Sequence, residues 1–407
     1  MARPLRSYLV GTASWFMAYG IQSVMFAWLV TMVLRESPEK VGLAQMSLLL
    51  PGTLLILIGG SYADRFGGRR VVMLAQSFAV LATGYLLFVV GTDRLAFPLI
   101  VVYAVLMGLA QAFVTPARDG LLNEVASGRL QRTVMLTSIM QFGMQMCGFL
   151  VASLSDALGA EAILGAQMLA LALGVVSFSR IPAAAHQAGG PPKRLWHSVV
   201  EGARTVFSSS SMRVVMIQNV AMAMFFMGSY IVTMPLLVRE VYDGSAQDLA
   251  LMNGANSLGL VVTIVLLLRL GDIRRQGRAL LLAQGGGALV LAGAGMAPSF
   301  LVWALALFVW GMCGGLAMTM SRTIMQEQAP DNQRGRVMSF YSFSFMGAGP
   351  IGAVLAGYLV DLAGPQSALM IAAGSMLTVI VLMGLVSRLW RLEGHVHQVL
   401  SEVEHAV

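Results

Sequence analysis

The sequence predicts an all-α membrane protein in which twelve transmembrane helices form two pseudo-symmetric six-helix bundles. Three observations carry that expectation. The 407 residues are 57% hydrophobic and only 11% charged, whereas about a quarter of a soluble domain is charged. Charge-poor runs divide the chain into about twelve segments long enough to cross hydrocarbon. The loops between them repeat after half the chain.

The runs cover 8–34, 41–62, 71–91, 97–115, 133–155, 160–178, 214–238, 250–270, 279–297, 300–320, 337–360 and 367–387. Such long continuous runs suit helices, which satisfy each backbone amide within their own segment. A β-barrel would alternate instead. Arg3 and Arg6 precede the first run, which exceeds a signal peptide's apolar core and lacks a closing small-residue cleavage site, so it is expected to be retained. With both termini cytoplasmic, Arg35, Lys40, Arg94 and Arg239 are the only four of the 26 basic residues left in outer loops. That asymmetry orients the chain in a bacterial inner membrane. It also makes the net charge of +7 a topological signal, with no nucleic-acid partner implied. Cys147 and Cys313 fall within apolar runs and read as packed thiols rather than a disulfide or metal ligands.

A shift of 204 positions lays Thr115-Pro116-Ala117-Arg118 on Thr319-Met320-Ser321-Arg322 and Arg132 on Arg336. A shift of 205 lays Asp156-Ala157-Leu158-Gly159 on Asp361-Leu362-Ala363-Gly364. The expected organisation is a bundle over 1–178, a central cytoplasmic loop over 179–212, a second bundle over 213–389 and a cytoplasmic tail over 390–407. Pro182, Gly189, Gly190, Pro191 and Pro192 break structure in the central loop. Beyond them, Leu195, Val199, Ala203 and Val206 share one side, as in an interfacial helix.

The hairpin Gly60-Ser61-Tyr62-Ala63-Asp64-Arg65-Phe66-Gly67-Gly68-Arg69-Arg70 joins the second and third runs, so its charges sit at the lipid boundary. Gly271-Asp272-Ile273-Arg274-Arg275-Gln276-Gly277-Arg278 is its degraded echo. Gly60, Asp64, Arg65, Gly67, Arg69 and Arg70 resemble the loop signature of the major facilitator superfamily, with Tyr62 in place of a small aliphatic residue. The 6 + 6 plan extends the likeness to nearly the whole chain. Pro116-Ala117-Arg118 and the stretch from Pro330 to Met338 are similar to the branch of bacterial exporters related to the enterobactin exporter.

The resemblance implies alternating access, in which the two bundles rock about a central cavity. It implies a gate at Gly60, Asp64 and Arg118: the Asp64 carboxylate pairs with Arg118 and favours the positive amino end of the eleventh segment near Arg336 and Val337. Arg65, Gly67, Arg69, Arg322 and Arg336 complete the expected gate. Two family features are missing. Ala104 stands four residues before Gly108 where an arginine is common, and Gly148 is followed by Phe149 rather than proline. Gly349-Pro350-Ile351-Gly352 can bend the eleventh segment.

Every Asp and Glu lies in a loop or at a segment end, and all five histidines lie in the central loop or tail. Proton coupling is therefore unsupported at mid-membrane. Asp156, Glu161 and Asp361 at the outer rim remain either its candidates or ordinary helix-end carboxylates. Neutral polar and aromatic groups are left to line a cavity: Tyr19, Gln22, Gln141, Gln145, Gln218, Asn219, Tyr230, Asn253, Asn256, Trp303 and Trp310. Each reads equally as substrate contact or interhelical glue. Such a lining, with 29 methionines in the chain, suits an amphipathic or aromatic solute better than a small anion.

The expected function is a monomeric secondary transporter exporting a siderophore-like or drug-like small molecule, with membrane lipids as its surroundings and no cofactor or metal. A facilitator or importer of a neutral metabolite, a lipid flippase and a non-translocating receptor or scaffold are the alternatives. No nucleophile with a base partner and no GxxxxGK phosphate loop supports an enzyme.

Overall fold

The computed structural model describes residues 3–125, 130–182, 195–271, 273–330, 333–387 and 389–392. Among them there is no β-strand, as the long apolar runs require. The chain divides into two compact units, Met1–Pro192 with Pro235–Gly254, and Lys193–Met234 with Ala255–Val407.

The first unit contains α1 (Arg3–Trp28), closed by a π-helical turn at Leu29–Val33, then α2 (Pro38–Phe66), α3 (Gly68–Gly91), α4 (Phe97–Val125) and α5 (Leu130–Ala152). The short turn α6 (Ser155–Leu158) leads to α7 (Ala160–Ser179). Helix α1 packs on α5 and α7, α2 on α4, and α3 on α4 and α7. Tyr8, Ile21, Val24, Tyr103, Ile163 and Leu164 are buried between them.

The second unit begins with α8 (Leu195–Ser208) and α9 (Ser210–Ala221), which continues through π-helical segments at Met222–Met227 and Ser229–Thr233 into α10 (Met234–Glu240). Next come α11 (Ala246–Leu270), α12 (Gln276–Ala294), α13 (Phe300–Gln328) and α14 (Arg334–Val386). The tip of the α10–α11 hairpin, Pro235–Gly254, groups with the first unit. Among the described residues, nine helices are long and apolar enough to cross a membrane, and α5 adds a shorter apolar stretch at Leu136–Ala152.

The internal repeat recurs in backbone conformation. Gly67 and Gly271 hold φ 88° and 76°, and Gly159 and Gly364 hold φ 84° and 78°. A side chain is strongly disfavoured in that region. Each pair stands at the shift that aligned the loops. Gly364 is the single break in the 53 residues of α14, so the last two apolar runs are joined without a polar loop.

Two loops expected around Arg118 and Arg322 are instead helical: α4 continues through Pro116 to Val125, and α13 through Arg322 to Gln328. Proline removes the hydrogen bond to the carbonyl four residues earlier, here that of Ala112. The Cα of Gly59 abuts this carbonyl so closely that a methyl group there would overlap it. A Cα–H contact thus faces the freed oxygen.

The same close approach builds each unit. A methyl on Gly20 would overlap the Gln145 carbonyl of α5, and one on Gly148 would overlap the Met17 carbonyl of α1. In the second unit, Gly228 and Gly352 repeat this geometry. Gly148→Ala is expected to lower the thermal unfolding midpoint in detergent, by the equivalent of roughly 1–3 kcal/mol for overpacking. Gly143→Ala, with nothing within 4 Å of the added carbon, leaves the midpoint unchanged or slightly raised. Equal responses would contradict backbone contact as the cause.

Candidate functional site

The α2–α3 hairpin is a one-residue break. Gly67 ends α2, its N–H donating to the Ala63 carbonyl at 3.0 Å, and α3 begins at the next residue. A Cβ on Gly68 would stand 2.7 Å from the Ala117 carbonyl, which seats the hairpin on α4 beside Arg118. Gly60 faces Pro116, whose Cβ is 3.8 Å from where a side chain would start. Asp64 lies in the last turn of α2; its side chain, like that of Arg132, is outside the described residues.

The arginines of this hairpin divide their tasks. Arg69 donates from Nη2 to the Ser179 carbonyl at 2.6 Å and from Nε to the Phe178 carbonyl at 3.4 Å. It therefore caps the carboxyl end of α7, where the helix dipole favours a cation. Arg65 is exposed, its guanidinium 5.3 Å from the Phe66 ring centroid.

Arg118 is only 8% exposed. Its guanidinium lies 4.6 Å from the Phe16 ring centroid, and Nη2 stands 3.4 Å from Asp119 Oδ1, a carboxylate whose side chain is 66% exposed. Among the described residues, Nε and Nη1 have no hydrogen-bond partner. The Tyr8 hydroxyl donates to the Arg118 carbonyl at 3.3 Å, and Thr12 is buried beside it. A ring face compensates a buried cation only in part. Its repeat mate Arg322 is exposed. Sequence reasoning found Arg118 but not Tyr8, Thr12 and Phe16, although their i, i+4, i+8 spacing puts them on one helix face.

In the second unit, Gln218 is fully buried with both amide atoms unpaired among the described residues. Asn219 donates from Nδ2 to the Tyr341 carbonyl at 3.3 Å, and the Tyr341 hydroxyl donates to Ser321 Oγ at 3.0 Å. The π-helical segments start immediately after this cluster, a distortion common at functional sites. They carry Phe226 and Tyr230, whose ring centroids lie 5.6 and 6.0 Å from that of Trp310 on α13.

The other expected cavity residues are placed less uniformly. Tyr19, Gln141, Gln145 and Asn256 are half-buried, and Gln22 is buried. Asn253 donates to the Leu249 carbonyl of its own helix at 2.8 Å. Trp303, near the start of α13, is fully buried beside Phe300, at 5.6 Å between centroids. Cys147 faces out from its helix instead of packing inward, and Cys313 is half-buried.

At the opposite end of the first unit, Arg239 donates from Nη1 to the carbonyls of Thr31 at 3.1 Å and Glu36 at 2.9 Å. The π-helical turn that ends α1 leads into these carbonyls. Asp156 Oδ2 accepts from the Ala246 N–H at 2.9 Å, placing a carboxylate at the positive start of α11. Glu161 and Asp361 are exposed. The hairpin tip is thus clasped at both of its ends.

The family model described as transmembrane secretion effector, MFS_3, matches residues 7–402. The multidrug efflux pump Tap of Mycobacterium tuberculosis is 26% identical over 374 residues, covering 85% of this chain and 84% of the relative. Its namesake in Mycolicibacterium fortuitum is 27% identical over 361 residues, covering 85% and 86%. The nucleoside transporter NupG matches with a TM-score of 0.73 at 14% identity, over 94% of this chain and 98% of that one. The human organic anion transporter MFSD10 (TETRAN) matches with 0.66 at 14% identity, over 94% and 99%. At such identities these structures speak for the fold.

Replacing Arg239 by Gln is expected to speed backbone deuterium uptake across 31–36 and 241–248, because two carbonyls lose their charged donor. Uptake there equal to the wild type would dismiss the clasp.

Proposed function

Because the chain belongs to the transmembrane secretion effector family of the major facilitator superfamily, and so is a membrane transporter rather than an enzyme, we propose that it exports an amphipathic, ring-bearing small molecule from the cytoplasm by alternating access. The observation that carries this reading is the uncharged aromatic trio Phe226, Tyr230 and Trp310 on and against the π-helical stretch, with the unpaired Gln218 amide one to two turns before it. Ring faces attract flat apolar solutes, and an amide adds one or two orienting hydrogen bonds. The efflux-pump relatives support the outward direction.

In this reading the protein is a monomer with twelve crossings, bundles at 1–178 and 213–389, and both ends in the cytoplasm of a bacterial cell. Asp64 and Arg118 close the cytoplasmic side. Arg118, buried on Phe16 with two nitrogens unpaired among the described residues, favours that closure, since a second carboxylate would add to the loose pairing with Asp119. On the far side, the contacts of Arg239 and Asp156 hold the hairpin tip, which joins the second unit at Met234 and Ala255. Release of those contacts accompanies outward opening. Of the rim carboxylates Asp156, Glu161 and Asp361, Asp156 is the one in contact with this tip among the described residues.

A second reading, gradient-independent facilitation of a neutral metabolite, is favoured by the confinement of Asp and Glu to helix ends and loops. In proteoliposomes, a panel of lipophilic aromatic cations, siderophores and neutral metabolites separates the two. Efflux driven by an imposed pH gradient supports export. Equilibration indifferent to the gradient supports facilitation, and no flux of any solute defeats both.

For a transported aromatic solute, Trp310→Ala is expected to weaken binding about tenfold, since a stacked ring contributes roughly 0.5–1.5 kcal/mol beyond its buried area. Asp64→Asn should slow turnover while leaving that binding within about twofold, because a lost gate contact acts on closure rather than on solute affinity. Titration of binding alongside flux distinguishes the two effects.

A further inference from the structure

Helix α8 is pinned to the membrane boundary by the chain that follows it. A single residue, Ser209, separates its last residue from α9, where the apolar run Ser210–Glu240 starts. Ser209 takes an extended conformation, and its hydroxyl caps α9 by accepting from the Met212 N–H at 3.4 Å. Arg213 Nη1 donates back to the Phe207 carbonyl at 3.4 Å. The helix therefore lies at the depth where the span begins.

The described side chains of α8 separate into two faces. One is spent on α14: Glu201 pairs with Arg336 at 2.7 Å, Thr205 bonds the Gln333 side-chain oxygen, Gly202 abuts the Arg336 carbonyl, and Val206 is fully buried. Val206, a member of the stripe expected to meet lipid, is thus turned against the protein. The other face is outward, with Val200 62% and Phe207 53% exposed and Arg204 exposed beside them; Phe207 also meets the Phe340 ring of α14 at 6.2 Å between centroids.

Beside this face lies a groove of about 500 Å³, open to solvent, bordered by Glu201, Arg204, Thr205, Ser208, Gln333 and Arg336. It holds two guanidiniums and one carboxylate, and that carboxylate is already engaged with Arg336. Arg204 makes no ion pair or hydrogen bond among the described residues. A cationic groove bordered by outward Val200 and Phe207 matches a ligand with a phosphate next to an acyl chain. A soluble anion would leave the two apolar side chains in water.

We propose that this groove is a binding site for an anionic phospholipid of the adjacent leaflet. The phosphate is held between Arg204 and Arg336, and the acyl chains lie along Val200 and Phe207. The headgroup then shares Arg336 with Glu201, so the charge of the leaflet acts on the first turn of α14. The site stands whichever solute is carried.

The test uses purified full-length protein and two readouts that do not require transport. Native mass spectrometry after incubation with phosphatidylglycerol or phosphatidylcholine is expected to show preferential retention of phosphatidylglycerol. Arg204→Gln should reduce that retention about fivefold, the share of one basic contact with an anionic surface, while Arg204→Lys preserves it. In vesicles, phosphatidylglycerol should slow deuterium uptake at 200–208 and 334–340 in the wild type but not in Arg204→Gln. Equal retention of the two lipids, equal retention by wild type and Arg204→Gln, or displacement of the lipid by inorganic phosphate would each overturn the proposal.

Discussion

Each unit depends on helix backbones that touch. Once in lipid, apolar helices gain nothing by hiding from water, so close van der Waals packing has to supply the attraction. Gly20 against Gly148 lets α1 and α5 approach until the Cα of one meets the carbonyls of the other, and Gly228 against Gly352 does the same for the π-helical stretch and α14. Gly59 with Ala112 on α2 and α4, and Gly259 with Phe308 on α11 and α13, extend the rule to a second crossing in each unit. Larger residues would spread these crossings and displace every side chain they position.

Rigid crossings allow a few groups to be held in costly states. Arg118 is positioned by α4, which continues as a helix through Pro116 because the carbonyl freed by that proline faces Gly59. Its guanidinium is consequently fixed on Phe16 inside the unit instead of being hydrated at a loop tip. Gln218 is likewise buried without partners on a helix that soon departs from α-helical hydrogen bonding. Unsatisfied groups of this kind cost free energy and persist where another state or a ligand satisfies them.

The two ends of the first unit differ in the strength of their polar contacts. Arg239 and Asp156 make charged hydrogen bonds of 2.9–3.1 Å to backbone groups, geometry in which charge assistance is near its best. Arg118 at the other end makes, among the described residues, a 3.4 Å contact to an exposed carboxylate, which solvent largely screens. Within the described residues, one end is firmly engaged and the other loosely.

The sequence by itself determined that the chain is a helical membrane protein, because bilayer thickness and backbone hydrogen bonding leave a long charge-free run no other structure. It also determined the repeat, which returns as matched positive-φ glycines at Gly67 with Gly271 and Gly159 with Gly364, where residue type and conformation are tied locally. Contacts made at long range were not legible. Nothing in the order of residues says that Arg69 caps α7, that Phe16 underlies Arg118, that Arg239 reaches the end of α1, or that Val206 turns toward α14 and leaves Val200 and Phe207 outside. Those outcomes belong to the tertiary structure, because a helix face acquires its partner only when glycine crossings fix its rotation and depth.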